Sequence, residues 1–349
     1  MNSPNHLPLV ELTRGNLVES IHFGSIAVSE NSKVIKTYGD TSTPFFLRSS
    51  AKPIQALALL EHDGAKLFDL SNREIALLCS SHSGTDEHVA VLQGLHKKIG
   101  IQEADLQCGV HPPYDKNTQE LLLLRGEKPT PLRHNCSGKH TGMLALAKIL
   151  GAPLKGYLSI DHPVQQIILH TFSEICDIPK NEVELGIDGC SAPVFAIPLT
   201  NAAMGFARLA DATLFSHARA EACRLIYQAM TENAEMVAGS ERFDTVFMKA
   251  MQGRAMSKIG AEGYLAIAIP GQLDNPQKHG LGIAIKISDG DLEHRAAPVA
   301  ALEVLRLMGI LELKDELKLT SFIHRDLVNW RGITIGSIRP SRQLSAYFS

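Results

Sequence analysis

Two blocks of β-forming residues lie at opposite ends of this 349-residue chain, and their separation constrains the fold more than any other feature. Near the start, IHFGSIAV (21–28) and KVIKTY (33–38) are joined by Ser29-Glu30-Asn31-Ser32, a hairpin signal. Near the end, YLAIAIP and LGIAIKI are separated by a turn-prone loop around Asn275-Pro276. Nearly everything between the blocks carries helical spacing. That order, hairpin, helical middle, strands and a last helix, predicts an α/β body whose antiparallel sheet is drawn from both chain ends. We expect a single unit over 1–349, with a sheet lobe at about 9–48 and 255–349 and a mainly helical lobe at about 49–254.

Within the middle, Ser71 and Glu74 form a capping-box pattern ahead of Ile75, Leu77 and Leu78. Further helices are predicted over about 86–99, in TGMLALAKIL, from Asp161 and Pro163 through about 176, over about 206–238, and over about 291–309. Glu184–Ala196 reads as a strand and turn with Asp188-Gly189-Cys190 at its tip. No apolar run approaches the roughly 20 residues that span a bilayer. MNSPNHLPLVELTRGNLVES lacks the basic and apolar regions of a signal peptide, so a cytoplasmic location is expected. A net charge of −3 gives no electrostatic reason to invoke nucleic acid or an anionic membrane. Six cysteines in a chain this long make no disulfide scaffold. Cys176 and Cys223 sit on apolar helical faces, whereas Cys136 and Cys190 sit in Gly/Ser-rich turns.

The chemistry concentrates at SSAKPIQALALLEHDG, where Ser49 and Lys52 are three residues apart at a helix start. Such residues are neighbours on one helical face. A serine hydroxyl attacks well only when a base removes its proton, and a lysine of lowered pKa can be that base. S-x-x-K is therefore a possible acylation centre. Alone it is weak, because a capping serine beside a solvated lysine is the commoner meaning of an isolated match. Ser81-His82 invites a Ser–His reading, although adjacent side chains rarely point at each other. Lys258 in KIGAEG lies just ahead of a predicted strand.

The element order, with S-x-x-K opening the helix after the hairpin and K-x-G ahead of the late strands, resembles serine β-lactamases and penicillin-binding proteins. TRGNLVES (13–20), LRSSAKP (47–53), CSSHSG (79–84), HNCSGKHTGM (134–143), GIDGCSAP (186–193) and KIGAEG (258–263) together resemble the L-asparaginase II family of the thermolabile bacterial type. The likeness runs from about residue 9 to about residue 340. It implies two serine–lysine pairs facing one pocket, Ser49 with Lys52 and Ser81 with Lys258. It implies that Arg48 clamps the substrate's α-carboxylate. It also implies a zinc ion beside the pocket, with Cys136, Lys139 and Cys190 as ligands and Asp188 close by, and a homodimer.

A lysine ligand must be neutral, so Lys139 would need a pKa well below about 10.4, which zinc itself could supply. The chain has no S-D-N triplet and no K-T-G, since Ile259-Gly260 follows Lys258. That departure argues against a working β-lactamase or transpeptidase. The expected activity is hydrolysis of L-asparagine to L-aspartate and ammonia through a serine-acyl intermediate. The rivals are a glutaminase or other amidase on the same scaffold, and a non-catalytic metal- or amino-acid-binding protein.

Overall fold

The computed structural model describes residues 4–271, 279–323 and 325–349. Its strands are β1 (Leu7–Arg14), β2 (Leu17–Glu30), β3 (Lys33–Tyr38), β4 (Pro44–Phe46), β5 (Glu184–Ile187), β6 (Pro193–Pro198), β7 (Met256–Gly260), β8 (Tyr264–Ile269), β9 (Leu281–Ile287), β10 (Arg325–Val328) and β11 (Thr334–Pro340). The large sheet runs β10-β11-β1-β2-β9-β8-β7, with β3 paired to β2, and its pairings are antiparallel. Both chain ends thus supply one sheet, as the order of β-rich runs predicts for a serine β-lactamase-like body. The loop near Asn275-Pro276 lies outside the described residues.

All six residues of β8 are buried, so this strand is covered on both faces. The helix Leu199–Ala210 packs on β2, β8 and β9, and the helix Ala297–Leu307 on β1, β8, β9 and β11. Gly282 of β9 allows the first of these contacts, since a Cβ there would overlap the Ala203 carbonyl.

Three predicted helices have different limits. The tract expected over 206–238 divides into Leu199–Ala210, His217–Glu232 and Ala234–Val237, broken at Asp211–Ser216 and Asn233. The helix expected from 291 begins at Ala297 instead. Asp291 takes the preceding turn, its carboxylate accepting the N–H groups of Arg295, Ala296 and Ala297. The helix expected in TGMLALAKIL starts earlier, at Ser137, which places Cys136 at its N-cap and Lys139 in its first turn. Gly138 lets that first turn press on the helix Asn72–Leu78, because a Cβ there would overlap the Leu77 carbonyl.

A second sheet, β4-β6-β5, lies within the middle of the chain. Leu47 N–H donates to the Phe195 carbonyl of β6 at 3.0 Å. That bond ties the Arg48–Ala51 3-10 turn to the strands flanking the Asp188–Cys190 tip. Ser50 Oγ fastens the same turn to the large sheet, donating to the Lys258 carbonyl at 2.7 Å.

Candidate active site

The turn Arg48–Ala51 runs directly into the helix Lys52–Leu60, with Pro53 in its first turn, where a missing N–H is tolerated. Lys52 is 1% exposed and its amine leaves its own helix. Lys52 Nζ donates to Ser81 Oγ at 2.9 Å, to the Ser80 carbonyl at 2.6 Å and to the Asn135 carbonyl at 3.4 Å. Ser81 sits in the Cys79–Gly84 turn that follows the capped helix Asn72–Leu78, held by its N–H to the Val237 carbonyl at 2.8 Å. From the other side Lys258, in the middle of β7 and 0% exposed, donates to Ser81 Oγ at 3.1 Å. One hydroxyl therefore bridges two buried amines.

The sequence reading paired Ser49 with Lys52 and Ser81 with Lys258. The structure gives Ser81 to both lysines, and among the described residues Ser49 Oγ has no hydrogen bond. Ser49 lines the same cavity as Ser81, of about 270 Å³.

Burial lowers both amines, because a charged ammonium loses its hydration there. Lys258 is drawn down to about 7, with the Lys52 and Arg242 charges adding to desolvation and Asp244 opposing it. Asp244 lies 3.7 Å from Lys258 Nζ and accepts from Ser257 Oγ and Ile259 N–H. An amine of pKa near 7 gives and takes protons at neutral pH, as a general base and acid must.

Tyr114, Asn135, Arg242 and His294 also line the cavity, and sequence reasoning missed Tyr114, Arg242, His294 and Asp244. Only the charged pair in Glu241-Arg242-Phe243-Asp244, opening the helix Phe243–Met251, could have signalled two of them. His82, in contrast, holds structure. Its Nδ1 accepts the Gly84 N–H at 3.1 Å, which leaves Nε2–H to donate to Ser137 Oγ at 2.8 Å. Burial pushes its pKa well down, so the ring stays neutral.

Arg48 adopts a left-handed φ of 51° and donates through Nε to Asp188 Oδ1 at 2.8 Å. Glu262 lies 4.0 Å from its Nη1. The guanidinium expected to clamp a substrate carboxylate already faces carboxylates of its own chain. Asp188, named among the metal residues, is spent on Arg48 and on the Gly189 N–H.

Cys136 and Cys190, 54 positions apart in the chain (190 − 136), are both buried. The neighbouring Cys190 thiol, against the effect of burial and with the Lys52 and Lys139 charges, holds Cys136 well below the usual thiol range. Lys139 Nζ lies 3.1 Å from Cys190 Sγ. Burial pulls the Lys139 amine down, but the two sulfurs and Asp188 outweigh it and raise its pKa. The neutral lysine expected at this position therefore needs a metal to displace its proton. His140, the next residue, meets the Tyr157 hydroxyl through Nδ1 at 2.6 Å, and among the described residues its buried Nε2 has no hydrogen-bond partner. Among the described residues, no three His, Cys, Asp or Glu side chains are grouped closely enough to hold a metal. The available donors are two sulfurs and one amine, and soft thiolates suit zinc.

Residues 10–340 match the family described as L-asparaginase II. No curated protein matches the chain. Among solved structures, Mglu in its native form in 4.3 M NaCl is similar at 13% identity and a TM-score of 0.45, over 83% of this chain and 62% of that one. This chain thus spans less than two-thirds of that protein's length. The Bacillus subtilis glutaminase YbgJ, in covalent complex with 5-oxo-L-norleucine, is similar at 14% identity and a TM-score of 0.34, over 80% of this chain and 87% of that one. A Bacillus glutaminase in 4.3 M NaCl gives 13% and 0.36, over 82% and 91%. Among the described residues no helix is long and apolar enough to cross a membrane.

Proposed function

The chain belongs to the L-asparaginase II family, a family of amidohydrolases, and from that premise we propose that it hydrolyses L-asparagine to L-aspartate and ammonia through an acyl-serine. The observation that carries this reading is the Ser81 hydroxyl set between the Lys52 and Lys258 amines at a cavity it shares with Ser49. A binding protein has no need of two desolvated amines on one hydroxyl. Burying them is costly, and proton transfer explains the arrangement.

Ser49 is the nucleophile and Ser81 the relay. Among the described residues Ser49 Oγ has no hydrogen-bond partner, and it lies at the start of a helix, where the first N–H groups lack intrahelical partners. Its oxygen adds to the side-chain amide carbon while its proton passes to an amine, by way of the Ser81 hydroxyl. The tetrahedral centre collapses as the C–N bond breaks, and the amine returns the proton to the departing ammonia. Water then attacks the ester, giving L-aspartate and restoring Ser49. Lys258, poised near neutrality, is suited to hold the proton in transit.

Cys136, Cys190 and Lys139 would hold a zinc ion. When bound, the ion supplies positive charge that stabilises both thiolates and the neutral lysine. Lys52 donates to Ser81 Oγ, and the charges of Cys136 and Cys190 act on its amine through space, raising its pKa against the effect of burial.

Ammonia release from L-asparagine and, separately, L-glutamine by the purified protein tests the reading, before and after a chelator. Turnover of asparagine is the expected result. Preference for glutamine would transfer the protein to the glutaminase rival, and silence on both amides would overturn the amidohydrolase reading.

A further inference from the structure

The cavity has a cation without an anion. Of its lining side chains none is acidic, and Arg242 carries a permanent charge. Its Nη1 donates to the Ser81 carbonyl at 2.6 Å, and its Cζ lies 5.7 Å from the centre of the Tyr114 ring. A guanidinium has five N–H donors. Among the described residues Arg242 spends one, on a neutral carbonyl, and no carboxylate lies within ion-pair distance of it. The nearest acidic influence, Asp244, is committed to Ser257, Ile259 and Lys258.

Arg48 stands in the opposite state, with Asp188 at 2.8 Å and Glu262 at 4.0 Å. A substrate carboxylate arriving at Arg48 would have to displace or share a carboxylate already there. At Arg242 it would meet unspent donors beside the Tyr114 ring and both serines. Planar, bidentate recognition of a carboxylate is the contact for which this group is built.

We propose that Arg242, backed by the Tyr114 ring, binds the α-carboxylate of the substrate, and that Arg48 instead positions the Asp188 turn. The inference rests on the amidohydrolase reading and names the contact that would confine that activity to amides bearing a carboxylate. Arg242 also braces the Ser81 loop through its carbonyl, so the test must separate binding from bracing.

The test compares wild type, Arg242→Gln, Arg242→Lys and Arg48→Gln on L-asparagine and on L-asparagine methyl ester, whose α-carboxylate is capped. Ammonia release from the side-chain amide is the readout. Arg242→Gln is expected to lose about 100-fold in kcat/KM on asparagine, mainly through KM, and under about threefold on the ester. Arg242→Lys falls between, since a point charge replaces a planar fork. Equal losses on both substrates, or none, overturn the proposal and leave only the brace. No ammonia from any amide in the wild type instead overturns the amidohydrolase reading, and this inference falls with it. Titration calorimetry of L-aspartate reads the same contact without turnover. A tenfold rise in Kd in Arg242→Gln supports the proposal, and an unchanged Kd overturns it. If the glutamine variant does not fold, Arg242→Lys carries both measurements, with a raised asparagine KM and an unchanged ester KM as the supporting result and no change in either as the opposing one.

Discussion

The amine of Lys52 meets the hydroxyl of Ser81 at 2.9 Å, across 29 positions of sequence, although Ser49 stands only three residues before it. The S-x-x-K spacing brings Ser49 and Lys52 to one turn, but burial turns the amine inward, towards the Cys79–Gly84 loop and the second lysine. In the proposed mechanism Ser81 relays protons between the two amines.

That arrangement assigns different fates to the two serines. Ser49→Ala and Ser81→Ala should each lose at least about 100-fold in kcat, the scale of a lost nucleophile or proton relay. A diazoketone analogue of asparagine, followed by peptide mass spectrometry, should place its adduct on Ser49 in the wild type. An adduct on Ser81 would exchange the two roles.

The kcat/KM for asparagine should rise as pH passes about 7, where Lys258 loses its proton. Below that value the ammonium cannot accept the nucleophile's proton, and the rate should fall about tenfold per pH unit. Lys258→Arg, permanently charged, should be slow at every pH and lack this limb. A rate profile from pH 5 to 9 for both proteins decides it, and an unchanged limb in the variant would remove Lys258 as its source.

Lys258 should also cost stability. Its folded pKa, about 7, lies below its unfolded value near 10.5, so the unfolded chain binds the extra proton between them. Stability should therefore rise with pH through that window, and the penalty is largest below pH 7. Lys258→Met combined with Asp244→Asn, which removes the charge of both members of the buried pair, should be inactive and as stable as the wild type or more so, by up to about 4 kcal/mol at pH 6. The gain should shrink by pH 10. Denaturant melts at both pH values measure it, and a variant less stable at pH 6 would refute the claim.

Metal content should depend on the two turn cysteines together. Protein expressed with zinc should carry about one ion per chain by elemental analysis, and Cys136→Ser with Cys190→Ser should carry none. A chelator should lower the melting temperature of the parent and leave the double variant unchanged. Equal metal in both proteins would remove the site.

Gly260→Ala tests how closely β7 must approach the Arg48–Ala51 turn. A Cβ there would lie 2.5 Å from the Leu47 carbonyl oxygen and 3.0 Å from Ser50 Oγ. Forcing the strand from the turn should cost about 1–3 kcal/mol of stability, the usual scale of overpacking. It should cost more in kcat, since Lys258 moves with the strand. Wild-type kcat in a stably folded variant would show that this spacing does not matter.

Much of this protein was legible in its sequence because much of it is locally determined. The capping box at Ser71 and Glu74 and the proline at the start of the Lys52–Leu60 helix rest on interactions within a few residues, and YLAIAI and LGIAIKI show their strand preference in residue type alone. The short motifs singled out Ser49, Lys52, Ser81, Lys258, Cys136, Lys139 and Cys190, of which Ser49 and Ser81 line one cavity and both Lys52 and Lys258 bond Ser81. They did not show that Ser81 faces both lysines, that Asp188 serves Arg48, or that Arg242 and Asp244 belong to the site. The reason is physical. Contacts between residues such as Lys52 and Ser81, or Lys258 and Asp244, form only when separate elements pack, and the low pKa of Lys258 exists only once water has been excluded. The sequence by itself determined which elements form and which reactive groups they carry. The tertiary structure alone decided which of those groups meet, and with what charge.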